Sequence, residues 1–241
     1  MSYEIAPGGL AAVLAHPDDE SVGCAGALAM AHAAGATTRL LVATRGEAGT
    51  PDGAPDPAFG GVRESELICA AKAIGLDEVS ILDGYADGAV ADESFERLVS
   101  EIQAWLADRR PQAVITFGPH GVTGHPDHRA VGNATRWAVE RLADVGQAPN
   151  SVFVISPIFD PGGNLYDLSS EEQVATHRID VTDVADRKLV ALECHASQTD
   201  VEAVKSALRA AIDSQTAIRE GYNRVRPIVP NPHPEYDTRL L

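Results

Sequence analysis

From Leu10 onwards the chain alternates short, nearly uninterrupted apolar runs with stretches of helical periodicity, and this alternation restricts the fold more than any other feature. The apolar runs are Leu10 to Ala15, Thr38 to Thr44, Val79 to Leu82, Ala113 to Phe117, Val152 to Ile155 and Ile179 to Val181. Runs this short and this apolar read as strands buried on both faces. Helices are expected over Val22 to Ala34, Arg63 to Ile74, Phe95 to Leu106, Ala130 to Leu142, Val184 to Cys194 and Val201 to Ile212, where apolar residues recur every three or four positions. Strand followed by helix, repeated, predicts an α/β fold: one doubly wound, Rossmann-like, mostly parallel sheet with helices on both faces. No linker divides the chain, so residues 1–241 are expected to form a single domain. The proline-rich tail from about 225 to 241 (VRPIVPNPHPEY) is expected to run extended over the surface.

Composition narrows the partners. The 19 basic and 35 acidic residues leave a formal net charge of −16, and only three lysines occur. Nucleic acid is excluded as an expected partner, because phosphate binding needs clustered positive charge. No stretch approaches the roughly 18 apolar residues that suggest a membrane span, and the N-terminus lacks the basic region of a signal peptide. The three cysteines, Cys24, Cys69 and Cys194, are odd in number, widely spaced and set among small apolar residues. They read as buried free thiols in a reducing, cytoplasmic setting and not as a disulfide frame. Gly46 to Gly61 holds five glycines and three prolines, which marks a long loop suited to binding.

Two clusters carry the chemistry. Ala15-His16-Pro17-Asp18-Asp19-Glu20 follows the first strand, and Gly118 to His128, including His120, His125, Asp127 and His128, follows the fourth. Open α/β sheets bind ligands at the carboxyl ends of their strands, where strand order reverses. In a sheet ordered 3-2-1-4-5 the two clusters flank that crevice. Their imidazoles and carboxylates, with no thiols, suit zinc, although another divalent ion is open. Three protein ligands would leave a coordination place for water, whose pKa zinc lowers to about 7. A spare carboxylate could move the water's proton, and a spare imidazole could stabilise an oxyanion. The parts match metal-assisted hydrolysis.

At these residues the chain resembles the LmbE-like or PIG-L N-acetylglucosaminyl deacetylases, zinc enzymes that remove acetyl from N-acetylglucosamine-type sugars. AHPDDE at residues 15–20 and GVTGHPDH at 121–128 carry the resemblance; TRGEAG at 44–49, RESEL at 63–67, YADG at 85–88 and KLVALECHASQ at 188–198 support it in the same order. The resemblance implies zinc held by His16, Asp19 and His128, with Asp18 as general base and then acid. It implies His125, as imidazolium, at the oxyanion, with Asp127 orienting it, and places Arg63, Asp87 and His195 near substrate. Some members carry a tyrosine before the Gly-His of the second motif; Thr123 stands there in this chain, and no tyrosine is assigned.

Each residue taken singly has an ordinary reading. Asp18, Asp19 and Asp127 sit where aspartates cap helices, Glu20 suits a helix's first turn, and His195 suits a helix's last. Capping explains neither two consecutive acids nor histidines in both loops. The expected substrate is a small N-acetylated sugar or conjugate. An amidase on another amide, such as a thiol-sugar conjugate, and a non-catalytic metal- or ligand-binding module are the alternatives, and a homo-oligomer stays open. A dinucleotide site is not expected, because Gly23-Cys24-Ala25-Gly26 lacks the G-x-G-x-x-G pattern.

Overall fold

The computed structural model describes residues 8–50, 54–158 and 168–227. Seven strands, β1 (Leu10–Leu14), β2 (Thr38–Val42), β3 (Glu78–Ile81), β4 (Ala113–Thr116), β5 (Ser151–Ile155), β6 (His177–Asp180) and β7 (Arg219–Arg226), form one sheet ordered β3-β2-β1-β4-β5-β7-β6. The first five pair in parallel, with Leu10 opposite both Thr38 and Ala113, and β7 runs antiparallel between β5 and β6. Every residue of β1 and β4 is buried, as expected of strands covered on both faces.

The helices are α1 (Asp19–Gly23), α2 (Ala25–Ala33), α3 (Pro57–Ile74), α4 (Phe95–Arg109), α5 (Gly121–Gly124), α6 (Pro126–Asp144), α7 (Ser170–Gln173), α8 (Ala185–Cys194) and α9 (Glu202–Asp213). On one side α2 and α3 pack with α8; on the other α4 packs on α6. The doubly wound α/β architecture is as the alternation of apolar runs and helical periods implies.

Local chemistry explains several boundaries. The helix expected from Arg63 begins six residues earlier, because the Asp56 carboxylate accepts from the Ala58 amide and Pro57 takes the first helical position. It ends where Gly75 adopts φ 92°, a conformation that costs glycine little. The helix expected from Val22 is instead two, broken at Cys24, whose φ of −151° is not helical. Phe95, expected on the apolar face of α4, stands at its first position and is exposed, while Trp105 is buried in its stead. Of the tail expected from about 225, Val225 and Arg226 belong to β7, and residues 228–241 lie outside the described residues.

β7 reads as polar sequence and carries no strand signal, yet it is wedged inside the sheet. Its Glu220 is buried because side-chain and backbone donors converge on it. Lys188 Nζ donates at 2.6 Å, Tyr222 Oη at 2.7 Å, and the amides of Gly26 and Ala27 at 2.9 and 2.8 Å; Lys188 also reaches Val22 O. The carboxylate thus satisfies the uncapped start of α2, where the helix dipole favours negative charge.

The expectation of three free thiols is corrected in part. Cys24 is buried and free, but Cys69 of α3 and Cys194 of α8 form a disulfide, with Cα atoms 5.7 Å apart. The two lie 125 residues apart in sequence, and only the packing of α3 on α8 brings them together. Among the described residues no helix is long and apolar enough to cross a membrane.

Candidate active site

The carboxyl ends of the adjacent strands β1 and β4 present the two clusters to one cavity of about 1250 Å³, and His16, Asp18, Asp19, His125 and His128 all line it. His16 follows β1 by two residues, and His128 sits in the first turn of α6. The His16 Nδ1 and His128 Nε2 atoms lie 3.2 Å apart. Asp19 completes the group, with Oδ1 3.2 Å from His128 Nε2 and Oδ2 3.7 Å from His16 Nδ1. The Ala15 and His16 amides donate to Asp19 Oδ2 at 3.1 and 2.8 Å, which fixes that carboxylate from behind.

The outer hydrogen bonds decide which nitrogen each imidazole offers. His128 Nδ1 donates to Gly121 O at 3.0 Å, leaving the Nε2 lone pair facing His16. Gly121 has φ 70°, and a Cβ built there would meet the His128 Cβ at 2.7 Å, so this approach requires glycine. His16 Nε2 faces Asp87 Oδ1 at 3.0 Å and Asp127 Oδ2 at 3.2 Å, so its Nδ1 is the nitrogen turned inward. The inward nitrogens and the carboxylate repel one another unless a proton or a metal ion sits among them, and outer-shell carboxylates of this kind are how metal-binding imidazoles are held. Burial opposes a charge on His16, yet Asp127, Asp87 and Asp19 outweigh it and lift its pKa to about 10, so the ring carries a proton on Nδ1 that a metal ion would displace. The residues present therefore fit a divalent ion. Two further groups among the described residues have ligand atoms within 4.8 Å of one another: His16 with His125 and His128, and His16 with Asp87 and Asp127.

Asp18, adjacent to Asp19, points elsewhere. Arg63 Nη2 donates to its Oδ2 at 2.7 Å and also to Pro17 O, while Arg63 Nη1 donates to Gly46 O at 3.1 Å. Burial pushes the Asp18 carboxyl up to about 7, with Arg63 working against the shift and Asp19 with it. The Asp18 backbone has φ 106°, which costs a residue other than glycine about 1–3 kcal/mol.

Several placements differ from what the resemblance implied. The Asp127 carboxylate faces His16 and takes the amides of Gly88 and Val90 at 2.8 and 3.1 Å, so it braces His16, not His125. The Asp127 amide donates to His125 Nδ1 at 3.2 Å, and burial, His16 and His128 hold the His125 pKa below the ordinary imidazole value. A ring that accepts at Nδ1 is neutral, so His125 offers Nε2–H as a donor and is not the expected imidazolium. Arg63 and Asp87 line the cavity but spend their charge on Asp18 and His16. His195 is wholly buried against Glu20 and is not part of the cavity wall. Gln198, the last residue of the KLVALECHASQ stretch, and Asp200, which carried no motif signal, do line it.

The same cavity is also lined by Val201, by Val204, Ala207 and Leu208 of α9, and by Ile218. Its volume exceeds the 300–1,000 Å³ usual for small-molecule sites.

Comparison with known proteins bears on the whole arrangement. A family model described as "PIG-L: GlcNAc-PI de-N-acetylase" matches residues 11–139, which contain both clusters. The chain is 32% identical over 195 residues to the probable N-acetyl-alpha-D-glucosaminyl L-malate deacetylase 2 of Bacillus subtilis (strain 168), covering 78% of this chain and 82% of that protein. It is 30% identical over 228 residues to the 1D-myo-inositol 2-acetamido-2-deoxy-alpha-D-glucopyranoside deacetylase of Mycobacteroides abscessus, covering 78% and 81%. A conserved protein of Thermus thermophilus superposes with a TM-score of 0.68 at 27% identity, over 93% of this chain and 96% of that one.

Proposed function

Because the chain belongs to the PIG-L family of N-deacetylating hydrolases, we propose that this single α/β domain removes acetyl from an N-acetylated amino-sugar conjugate at the site between β1 and β4. The observation that carries the reading is the pair of inward imidazole nitrogens beside Asp19, with the strained, half-buried Asp18 next to them.

His16, Asp19 and His128 are the residues that would hold zinc, which when bound supplies a Lewis acid for the amide carbonyl and acidifies the attacking water. Asp18 takes the proton of that water and later delivers it to the departing amine. His125 donates from Nε2 to the oxygen that gains charge as the carbonyl becomes tetrahedral. Asp127 and Asp87 keep His16 in the tautomer that presents Nδ1, and Arg63 keeps Asp18 aimed. A non-catalytic binding module has no use for a strained carboxyl with a pKa near neutrality.

The acid limb of turnover follows from Asp18. A base works deprotonated, and the Asp18 pKa of about 7 lies above the ordinary 3.8, so kcat/KM should rise with pH and level off above about 7. Removing the opposing charge with Arg63→Ala should move the limb to higher pH. A profile flat from pH 5 to pH 8, measured by amine release, would take Asp18 out of the base role.

The cavity's volume and its apolar wall from α9 suit a sugar that carries a further group, as in the malate and inositol conjugates after which the relatives are named. In an amine-release panel, conjugates should show kcat/KM at least about tenfold above free N-acetylglucosamine, the value of roughly 1.4 kcal/mol of added contact. Equal rates would mean that the distal cavity is not used.

A cytoplasmic location stays part of the proposal, and the Cys69–Cys194 bridge is the observation against it, since cytosolic thiols are kept reduced. Mass spectrometry of acid-quenched cells reads the pair directly: free thiols fit the cytoplasm, and a closed bridge does not.

A further inference from the structure

We propose that Glu20 and His195 form a buried positioning pair for the base, His195 fixing Glu20 and Glu20 fixing the backbone of Asp18. The proposal rests on the deacetylase reading for Asp18's role, and it stands on contacts that this reading does not use.

The Asp18 amide donates to Glu20 Oε2 at 3.0 Å. The other oxygen of Glu20 accepts from His195 Nε2 at 2.8 Å and from Ser21 Oγ at 2.6 Å. Glu20 and His195 are both 0% exposed, and neither lines the cavity. A glutamate in the first turn of a helix ordinarily keeps its carboxylate in water. Here it is folded inward to catch the amide of the one residue of its motif with a positive φ.

His195 comes from the end of α8, 175 residues further along the chain, and its ring is committed to this single bond. Its Nδ1 is buried without a hydrogen-bond partner among the described residues. Leaving a buried polar atom unsatisfied is costly, so the bond to Glu20 is the feature that accounts for an imidazole at this place.

The support is anchored on both sides. Cys194, the neighbour of His195, is bridged to Cys69 of α3, and Ser197 donates from its amide and hydroxyl to Glu66 of α3 at 2.8 and 2.7 Å. The same helix carries Arg63, which holds the Asp18 carboxylate. Asp18 is thus gripped at its side chain from α3 and at its backbone through Glu20 from α8, and the two helices are fastened to each other. Without His195, only the Ser21 hydroxyl on its own turn holds the outer oxygen of Glu20, the carboxylate is free to turn from the Asp18 amide, and the backbone can relax to negative φ, carrying the Asp18 carboxylate out of line.

The test compares His195→Ala, His195→Gln and Glu20→Gln with the parent in the zinc-loaded enzyme. A misplacement of about 1 Å costs about 100-fold, so His195→Ala should lower kcat by about that factor while KM and zinc content stay within about twofold. His195→Gln, whose amide can donate to Glu20, should recover most of the loss. Glu20→Gln keeps the volume but accepts through one oxygen only, and should fall between the two. Parent-like kcat in His195→Ala, equal losses in the Ala and Gln variants, or loss of zinc with kcat would overturn the proposal. A crystal structure of the His195→Ala protein reads the same claim without turnover. Asp18 should leave the positive-φ region, and a φ still near 106° would refute the pair's role. A parent enzyme that releases no amine from any acetylated sugar would refute the deacetylase reading, and the crystallographic result would still decide this one.

Discussion

The Asp18→Asn enzyme should turn over about 10²–10⁴-fold more slowly than the parent, the range expected when a general base is lost, while it keeps the parent's metal content. The substitution preserves volume and lets Arg63 keep a hydrogen bond to the amide oxygen, so the change is confined to proton transfer. Asp18 and Asp19 are neighbours in sequence but face different partners, the first Arg63 and the second His128. That divergence predicts the separation of effects: Asp18 variants lose rate and keep metal, whereas Asp19 variants lose both. Metal analysis and single-turnover kinetics on the same preparation check it. Retained turnover in Asp18→Asn would assign the proton transfer elsewhere.

His128→Ala should lose metal and activity together. The histidine supplies one of two inward nitrogens, and its ring is fixed by Gly121 O on one side and by stacking on Phe117 at 4.1 Å on the other. Asp127→Asn is the graded control. It weakens the brace behind His16 without removing a ligand, and outer-shell changes of this kind typically cost about 10–100-fold in metal affinity. The His128→Ala loss should exceed that range, as read by competition with a chromogenic chelator. A ranking in the opposite order would mean that Asp127 is itself a ligand and that His128 is not.

The fold was legible where burial alone sets the residue types. β1 and β4 are buried throughout and β2 is buried except at Arg39, so these strands are mostly apolar, and the placement of β4 beside β1 follows from the order that such units adopt. β7 was not legible, because its buried positions are Glu220, Gly221 and Tyr222, and the buried charge of Glu220 is made tolerable by Lys188, Gly26 and Ala27 from far along the chain. The Cys69–Cys194 bridge was hidden for the same reason.

At the site, the sequence placed the right side chains at one crevice but not their directions. A motif states that His125, Asp127 and His128 are adjacent. Whether Asp127 turns to His125 or to His16 depends on the Gly88 and Val90 amides, which approach from another loop. His195 illustrates the same limit: Gln198, later in the same stretch, lines the cavity, while the His195 ring turns away into the protein to meet Glu20.

Anomalous diffraction at the zinc edge, on crystals grown from zinc-loaded protein, locates the ion without reference to turnover. A single peak should lie about 2.0–2.1 Å from His16 Nδ1 and His128 Nε2 and about 2.0–2.2 Å from an Asp19 oxygen. A peak on the Nε2 side of His16, between Asp87 and Asp127, or no peak at fully loaded stoichiometry, would contradict the ligand assignment from which the proposed chemistry follows.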